Sequence, residues 1–224
     1  MLAIIQARMS SMRLPGKVLM NIAGKPMLER VRDRVMQANG VKKVVIATSN
    51  NASDDPIEKF CYSRNFPCFR GALNDVAGRF LNVIERECAE EFIRISGDSP
   101  LVDPKLIDMA IAEYRCGLYD LVTNISLRTF PKGQSVELVR SSSFKKMYED
   151  LVGLDDHEHV TKAFYRSELN YKIKNFVAEP PAGDIQLSVD TEDDLNRVTA
   201  IFNSCDVQSA GWRDFVKLIA KSIA

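Results

Sequence analysis

Between residues 2 and 123, short apolar runs of strand length alternate with segments whose apolar residues recur at helical spacing, and this alternation limits the fold more than any other feature. Leu2–Ala7 and Lys43–Thr48 are the clearest strand runs, with the helical pattern of Met27–Ala38 between them. Phe66–Arg70, Phe92–Ser96 and Asp120–Thr123 continue the strands, while Asp54–Ser63, Val76–Ala89 and Pro104–Tyr114 supply the intervening helices. Strands joined through helices pair in parallel, so the pattern predicts an α/β chain with a mixed, mostly parallel sheet flanked by helices. Asp75 and Asp103 stand where side chains cap the helices that follow, and Pro104 suits a first helical position because its missing N–H has no partner to lose.

From about Thr129 the rhythm changes. Ser135–Val139 reads as a strand, Ser141–Glu149 as a helix, and Asp155–Ser167 as a helix carrying both histidines. Lys172–Ala178 and Ile185–Val189 resume strand character before helices from Asp190 to Phe202 and from Gly211 to Ile223. With no internal repeat or long linker, residues 1–224 are expected to form one domain with an inserted lobe at about 129–180. Lys+Arg and Asp+Glu both number 30, so no overall field recruits nucleic acid or an acidic membrane, and any anion site is a local cluster. The five cysteines include no C-x-x-C pair and read as reduced, mostly core thiols. No run approaches the roughly eighteen apolar residues of a membrane span, and the expectation is a soluble cytoplasmic protein.

Three strand ends concentrate polar chemistry. The first, Gln6-Ala7-Arg8-Met9-Ser10-Ser11-Met12-Arg13-Leu14-Pro15-Gly16-Lys17, places three cations and two hydroxyls directly after the first strand. Ligands of open parallel sheets collect beyond the carboxyl ends of strands, where backbone N–H groups near Ser10, Ser11 and Gly16, the Arg13 fork and the Lys17 ammonium suit a triphosphate. On spacing alone the stretch is equally a solvated surface turn. It is neither G-x-x-x-x-G-K-[ST] nor G-x-G-x-x-G. The second, Ile95-Ser96-Gly97-Asp98-Ser99-Pro100, brings a carboxylate to the same edge, where it faces phosphate only with a divalent cation between or else serves as a turn residue. The third, Val189-Asp190-Thr191, taken alone is a helix cap.

Joined, these motifs resemble the sugar cytidylyltransferases, the group that contains the CMP-Kdo and CMP-sialic acid synthetases, and within it the spore-coat polysaccharide biosynthesis protein F branch. The likeness also covers Ile22-Ala23-Gly24-Lys25-Pro26-Met27, Asn74-Asp75-Val76-Ala77-Gly78-Arg79-Phe80, Thr129-Phe130-Pro131-Lys132-Gly133 and Glu158-His159-Val160-Thr161. It implies a Rossmann-like GT-A nucleotidyltransferase fold with a small acceptor and dimerisation lobe, and transfer of a cytidylyl group from CTP to a sugar or sugar acid with release of pyrophosphate. It further implies nucleotide contacts from Ala7, Arg8, Ser10, Ser11, Arg13, Lys17, Asp75, Arg79 and Asp98, and acceptor contacts from Asn124, Glu137 and His159. Mg²⁺ would be held by Asp98 and Asp190, with Lys17 and Arg13 completing the catalytic set, and the protein would be a homodimer serving surface polysaccharide synthesis. Where CMP-Kdo synthetases read IPAR and QGDEP this chain reads IQAR and SGDSP, so Gln6 and Ser99 point away from Kdo as the acceptor. Competing readings are a GT-A glycosyltransferase consuming a nucleotide sugar, for which the Arg13-to-Lys17 loop is less suited, and a catalytically silent nucleotide-binding protein. His157 and His159 lack the spacing of a zinc-binding helix. Phe130, Phe144, Phe164 and Tyr165 read as packing residues of the later lobe.

Overall fold

The structure, a computed structural model, describes residues 1–223. The first half runs β1 (Leu2–Gln6), a small hairpin of β2 (Asn21–Ile22) and β3 (Lys25–Pro26), α1 (Met27–Val35), β4 (Lys43–Ser49), α2 (Asp55–Ser63), β5 (Cys68–Gly71), α3 (Val76–Arg86), β6 (Glu91–Ser96) and α4 (Pro104–Arg115). The second half adds β7 (Leu121–Thr123), β8 (Glu137–Arg140), α5 (Ser141–Glu149), α6 (Leu154–Glu158), β9 (Ile173–Asn175), α7 (Glu192–Ser204) and α8 (Trp212–Ile223). Seven strands form one sheet in the order β5-β4-β1-β6-β8-β7-β9, in which β8 alone runs antiparallel to its neighbours. Segment 129–180 therefore adds β8 and β9 to the same sheet as the first half.

β1 is central because both its faces are apolar. Ala3 and Ile5 join one core layer and Leu2 and Ile4 the other, as the two-residue strand period requires. The first layer is completed by Val31 and Val35 of α1, Leu106 and Ile107 of α4, Val198 of α7 and Phe215 of α8; the second by Phe80 and Val83 of α3 and Phe144 and Met147 of α5. Caps fix several helices: Asp75 accepts the Gly78 N–H, Asp103 the Lys105 N–H, and Thr191 with Asp194 forms a reciprocal capping box on α7. Asp103 also accepts the Trp212 N–H at 2.9 Å, tying the start of α8 to that of α4. None of the described helices is long and apolar enough to cross a membrane.

Two elements differ from the sequence expectation. Ile185–Val189 does not form a strand: Gln186 bridges Lys132 in isolation, and the Val189 N–H turns instead to the Asp98 carbonyl at 2.9 Å. Its backbone groups are shared between two loops, which leaves no length for a ladder. The helix expected over Asp155–Ser167 breaks after Glu158, because the chain turns to bury Val160, Ala163 and Phe164 in the second core layer and to send the Thr161 hydroxyl to Glu137. The thiols are all free, yet only Cys61 is fully buried, with Cys88 and Cys116 exposed. Phe130, Phe144 and Phe164 are buried as expected of packing residues.

Arg34 shows how the C-terminal segment is held. It is 1 % exposed and donates to the carbonyls of Val102 at 3.0 Å, Val207 at 2.5 Å and Ala210 at 3.0 Å. Arg34→Ala would leave those carbonyls unpaired beside a void, and urea unfolding should show a loss of about 3 kcal/mol. A loss below about 0.5 kcal/mol, the size typical of surface substitutions, would mean that these bonds do not anchor the segment.

Candidate active site

β1 delivers the chain to the carboxyl edge of the sheet at Gln6, and residues 7–16 loop over that edge. Asp54, fully buried, accepts the Met9 N–H at 2.7 Å, and the Gly16 N–H returns to the Met9 carbonyl at 2.8 Å. Gly16 sits at φ +73°, where a residue with a Cβ is strained, and the turn it permits drives Lys17 inward. Lys17 is 7 % exposed. Its ammonium has three donors and uses them on Asp98 Oδ2 at 3.2 Å, the Val189 carbonyl at 2.7 Å and Asp190 Oδ1 at 2.9 Å. Arg13, mostly exposed, reaches the same Asp190 oxygen at 2.9 Å.

Asp98 arrives from the end of β6 through a close approach of backbones. The Gly97 N–H donates to the Gln6 carbonyl at 2.9 Å, and a Cβ at position 97 would stand 2.7 Å from that oxygen. Asp98 and Asp190 thus converge on one positive charge, while no group of three His, Cys, Asp or Glu side chains able to hold a metal occurs among the described residues. Two carboxylates, with the remaining shell left to phosphate oxygens and water, form a donor set suited to Mg²⁺.

A cavity of about 400 Å³ opens over these groups. Ala7, Arg8, Ser11, Arg13, Lys17, Arg79, Asp98, His159 and Asp190 all contribute to its wall, so most of the residues singled out in the sequence come together. Ser10 is exposed on the same loop but does not line the cavity. Arg8 pairs with Glu158 at 3.1 Å across the rim, and His159, exposed, faces Asp155 at 3.3 Å.

The chain as a whole matches known proteins in sequence and in fold. A family model described as cytidylyltransferase matches residues 2–196. The chain belongs to the cytidylyltransferase family. It is 34 % identical over 221 residues to the spore coat polysaccharide biosynthesis protein SpsF of Bacillus subtilis, an alignment covering 95 % of this chain and 88 % of that protein. A solved cytidylyltransferase from Leptospira borgpetersenii superposes with a TM-score of 0.91 at 26 % identity, covering 98 % of this chain and 93 % of the other. The fold is also that of CMP:2-keto-3-deoxy-manno-octonic acid synthetase solved with CTP, with a TM-score of 0.69 at 19 % identity and coverage of 90 % and 98 %.

Besides Ser10, three of the residues singled out in this cytidylyltransferase lie off the cavity wall. Asn124 is 1 % exposed and spends its amide on the Gln134 carbonyl at 2.7 Å and the Val136 N–H at 2.9 Å, bracing the loop before β8. Glu137 is equally buried, and its carboxylate is surrounded by donors: Arg94, the Thr161 hydroxyl at 3.0 Å and the Tyr165 hydroxyl at 2.6 Å. Burial and the adjacent carboxylate push the Tyr165 phenol well above its usual value, so it stays a donor. Arg94, which sequence reasoning missed, is the member of this group that reaches the cavity; it also donates to Gln6 Oε1 at 3.0 Å. Its signal was present as a lone cation in the apolar run Phe92-Ile93-Arg94-Ile95, because a charge in a central strand needs a buried partner. Asp54, the anchor of the loop, was missed for the opposite reason, since an Asp before a helix reads as a cap.

Asp75 is the third. Besides capping α3 it accepts the Tyr148 hydroxyl at 2.7 Å and meets His157 Nδ1 at 2.8 Å, so it fastens α5 and α6 to α3. Burial raises its pKa, but the bonds from Tyr148, the Gly78 N–H and His157 outweigh that and hold it below the usual carboxylate range, while burial and Asp75 push the Tyr148 phenol up to about 12. A carboxylate whose pKa is lowered by folding stabilises the protein above its unfolded pKa and loses that contribution as pH falls through the lowered value. Asp75→Asn should therefore be less stable than wild type near pH 7, with the gap closing below about pH 4. Urea midpoints measured across that range test this; a gap independent of pH would mean the carboxylate's charge does not matter.

Proposed function

We propose that this cytidylyltransferase moves the cytidylyl group of CTP to a hydroxyl of a sugar or sugar acid, with Mg²⁺ as cofactor, and that the CMP-sugar feeds surface polysaccharide synthesis. The convergence of Lys17 and Arg13 on Asp98 and Asp190, inside a cavity at the carboxyl edge of β1 and β6, carries the reading. The names of two relatives, a 3-deoxy-manno-octulosonate cytidylyltransferase and the SpsF protein, support the sugar and the polysaccharide context. The acceptor oxygen attacks the α-phosphorus, its bond to phosphorus forming as the bond to the β-phosphate oxygen breaks; the hydroxyl proton passes to solvent and pyrophosphate departs. Little covalent chemistry falls to the protein, so alignment and charge neutralisation dominate.

Arg13 offers a planar fork for phosphate oxygens, and Lys17 a compact ammonium that the triphosphate draws from the carboxylates. Asp98 and Asp190 would hold Mg²⁺, which supplies charge neutralisation across the phosphates. The Gly97 turn and the Asp54 anchor keep acidic and basic arms facing each other. We further propose a cytoplasmic homodimer, which light scattering at working concentration tests: a monomer rejects it.

Pyrophosphate release from CTP against a panel of neutral and acidic sugars is the direct test, and release with none of a panel containing a true acceptor would reject the reading. Asp98→Asn and Asp190→Asn should each reduce kcat by about a hundredfold or more with an unchanged circular dichroism spectrum. Lys17→Ala should reduce kcat to a similar degree. Arg13→Lys, which keeps the charge but loses the fork, should weaken CTP binding; normal CTP affinity there would return Arg13 to the surface-turn reading.

A further inference from the structure

A second, smaller cavity of about 240 Å³ adjoins the first and shares Ser96 and Asp98 with it. Its far wall carries Arg128, Lys132 and Ser135 from the loop before β8 and Ser188 from the strap before α7. Loop and strap are bonded to each other at this point: the Lys132 N–H donates to the Ile185 carbonyl at 2.9 Å, and the Lys132 carbonyl accepts the Leu187 N–H at 2.8 Å. The side chains of the far wall are left chiefly with donors to give. Among the described residues neither Lys132 nor Arg128 pairs with a carboxylate, and Arg128 spends only one N–H, on Ser135 Oγ at 3.3 Å. Ser135 therefore keeps its own proton to donate, as does Ser188, whose Oγ accepts from Gln186 at 2.8 Å. Asp98, the carboxylate on the shared wall, is already committed to Lys17 and to the Ser99 hydroxyl at 3.1 Å.

Position and charge select the ligand. Asp98 follows β6, whose neighbours in the sheet are β1 and β8; Lys17 follows β1, and Lys132 precedes β8. Arg13 and Lys17 line only the first cavity and Arg128 and Lys132 only the second, so two pairs of cations flank Asp98. A displacement at phosphorus needs the attacking oxygen opposite the leaving group. With pyrophosphate leaving on the β1 side, the acceptor enters from the β8 side, through the second cavity. A neutral sugar brings no charge to meet two unpaired cations, and a carboxylate brings one. A phosphate monoester brings nearly two negative charges and three acceptor oxygens, which match two cations and two free hydroxyl donors.

We propose that the second cavity is a phosphate subsite formed by Lys132, Arg128, Ser135 and Ser188, and that the acceptor is a sugar already carrying a phosphate monoester, anchored there while a free hydroxyl reaches past Asp98. The acceptor's role rests on the cytidylyl-transfer reading; the anion site does not. Calorimetric titration of inorganic phosphate, with the first cavity filled by Mg²⁺ and the non-cleavable analogue α,β-methylene CTP, tests the site. Wild type should bind phosphate, and acetate, a monoanion, at least about tenfold more weakly. Lys132→Met and Arg128→Gln should each weaken phosphate binding by about tenfold or more and leave affinity for the CTP analogue unchanged. Lys132→Arg, which keeps the charge, should retain phosphate binding and decides the matter if Lys132→Met fails to fold. Absence of phosphate binding, equal binding of acetate, or affinity unchanged in Lys132→Met and Arg128→Gln overturns the proposal. Pyrophosphate release tests the acceptor, with glucose 6-phosphate, glucose and glucuronate added to the panel of sugars. Release with a carboxylate or neutral acceptor that Lys132→Met leaves unaltered overturns the proposal and keeps the transfer reading. Phosphate binding that depends on Lys132, in a protein that binds no CTP analogue, rejects the transfer reading and the acceptor's role and keeps the anion site.

Discussion

The contact on which the site depends is the Lys17 ammonium between Asp98 and Asp190. It joins three segments far apart in sequence: the loop after β1, the turn after β6 and the strap before α7. A nearly buried ammonium is tolerable only if each of its donors is satisfied, and here two carboxylates and a carbonyl do so. The same pairing prevents two anions from facing each other across a cavity, which would open the strap away from the sheet. In the proposed reading, substrate binding exchanges one set of ionic partners for another rather than filling a neutral hole.

Everything that makes this contact possible is backbone geometry. Parallel β1 and β6 end side by side, in the register Gln6 opposite Ser96, so their following loops rise together. Gly97 lets the two turns touch, Gly16 reverses the loop, and Asp54 pins its start. The strap arrives without a strand of its own because Lys132 and Asp98 take its backbone groups in turn, and the capping box at Thr191 then commits the chain to α7.

A second polar group stiffens the cavity from below. Glu137, on the one antiparallel strand of the seven-stranded sheet, neutralises Arg94 on β6, and Gln6 holds the other side of the guanidinium. Gln6 and Arg94 belong to adjacent strands, so the departure from IPAR noted in the sequence has a structural counterpart: position 6 here carries a side chain that fixes a cavity arginine. Asn124 and Glu137, though named from family likeness, serve this region by bracing it from within.

The sequence by itself determined the layered α/β architecture, most strand and helix bounds, the caps at Asp75, Asp103 and Thr191, and the three polar strand ends that make up the candidate site. Those depend on periodicity and on residues acting within a few positions of themselves, and such information is local. Tertiary structure decided which carboxylates the Lys17 ammonium joins, that Asn124, Glu137 and Asp75 turn inward, that Arg94 and Asp54 matter, and that Ile185–Val189 is a strap and not a strand. Each of these is a choice among hydrogen-bond partners dozens of residues away, and a buried polar group's partner is settled by how the strands are ordered in the sheet, which no local pattern encodes.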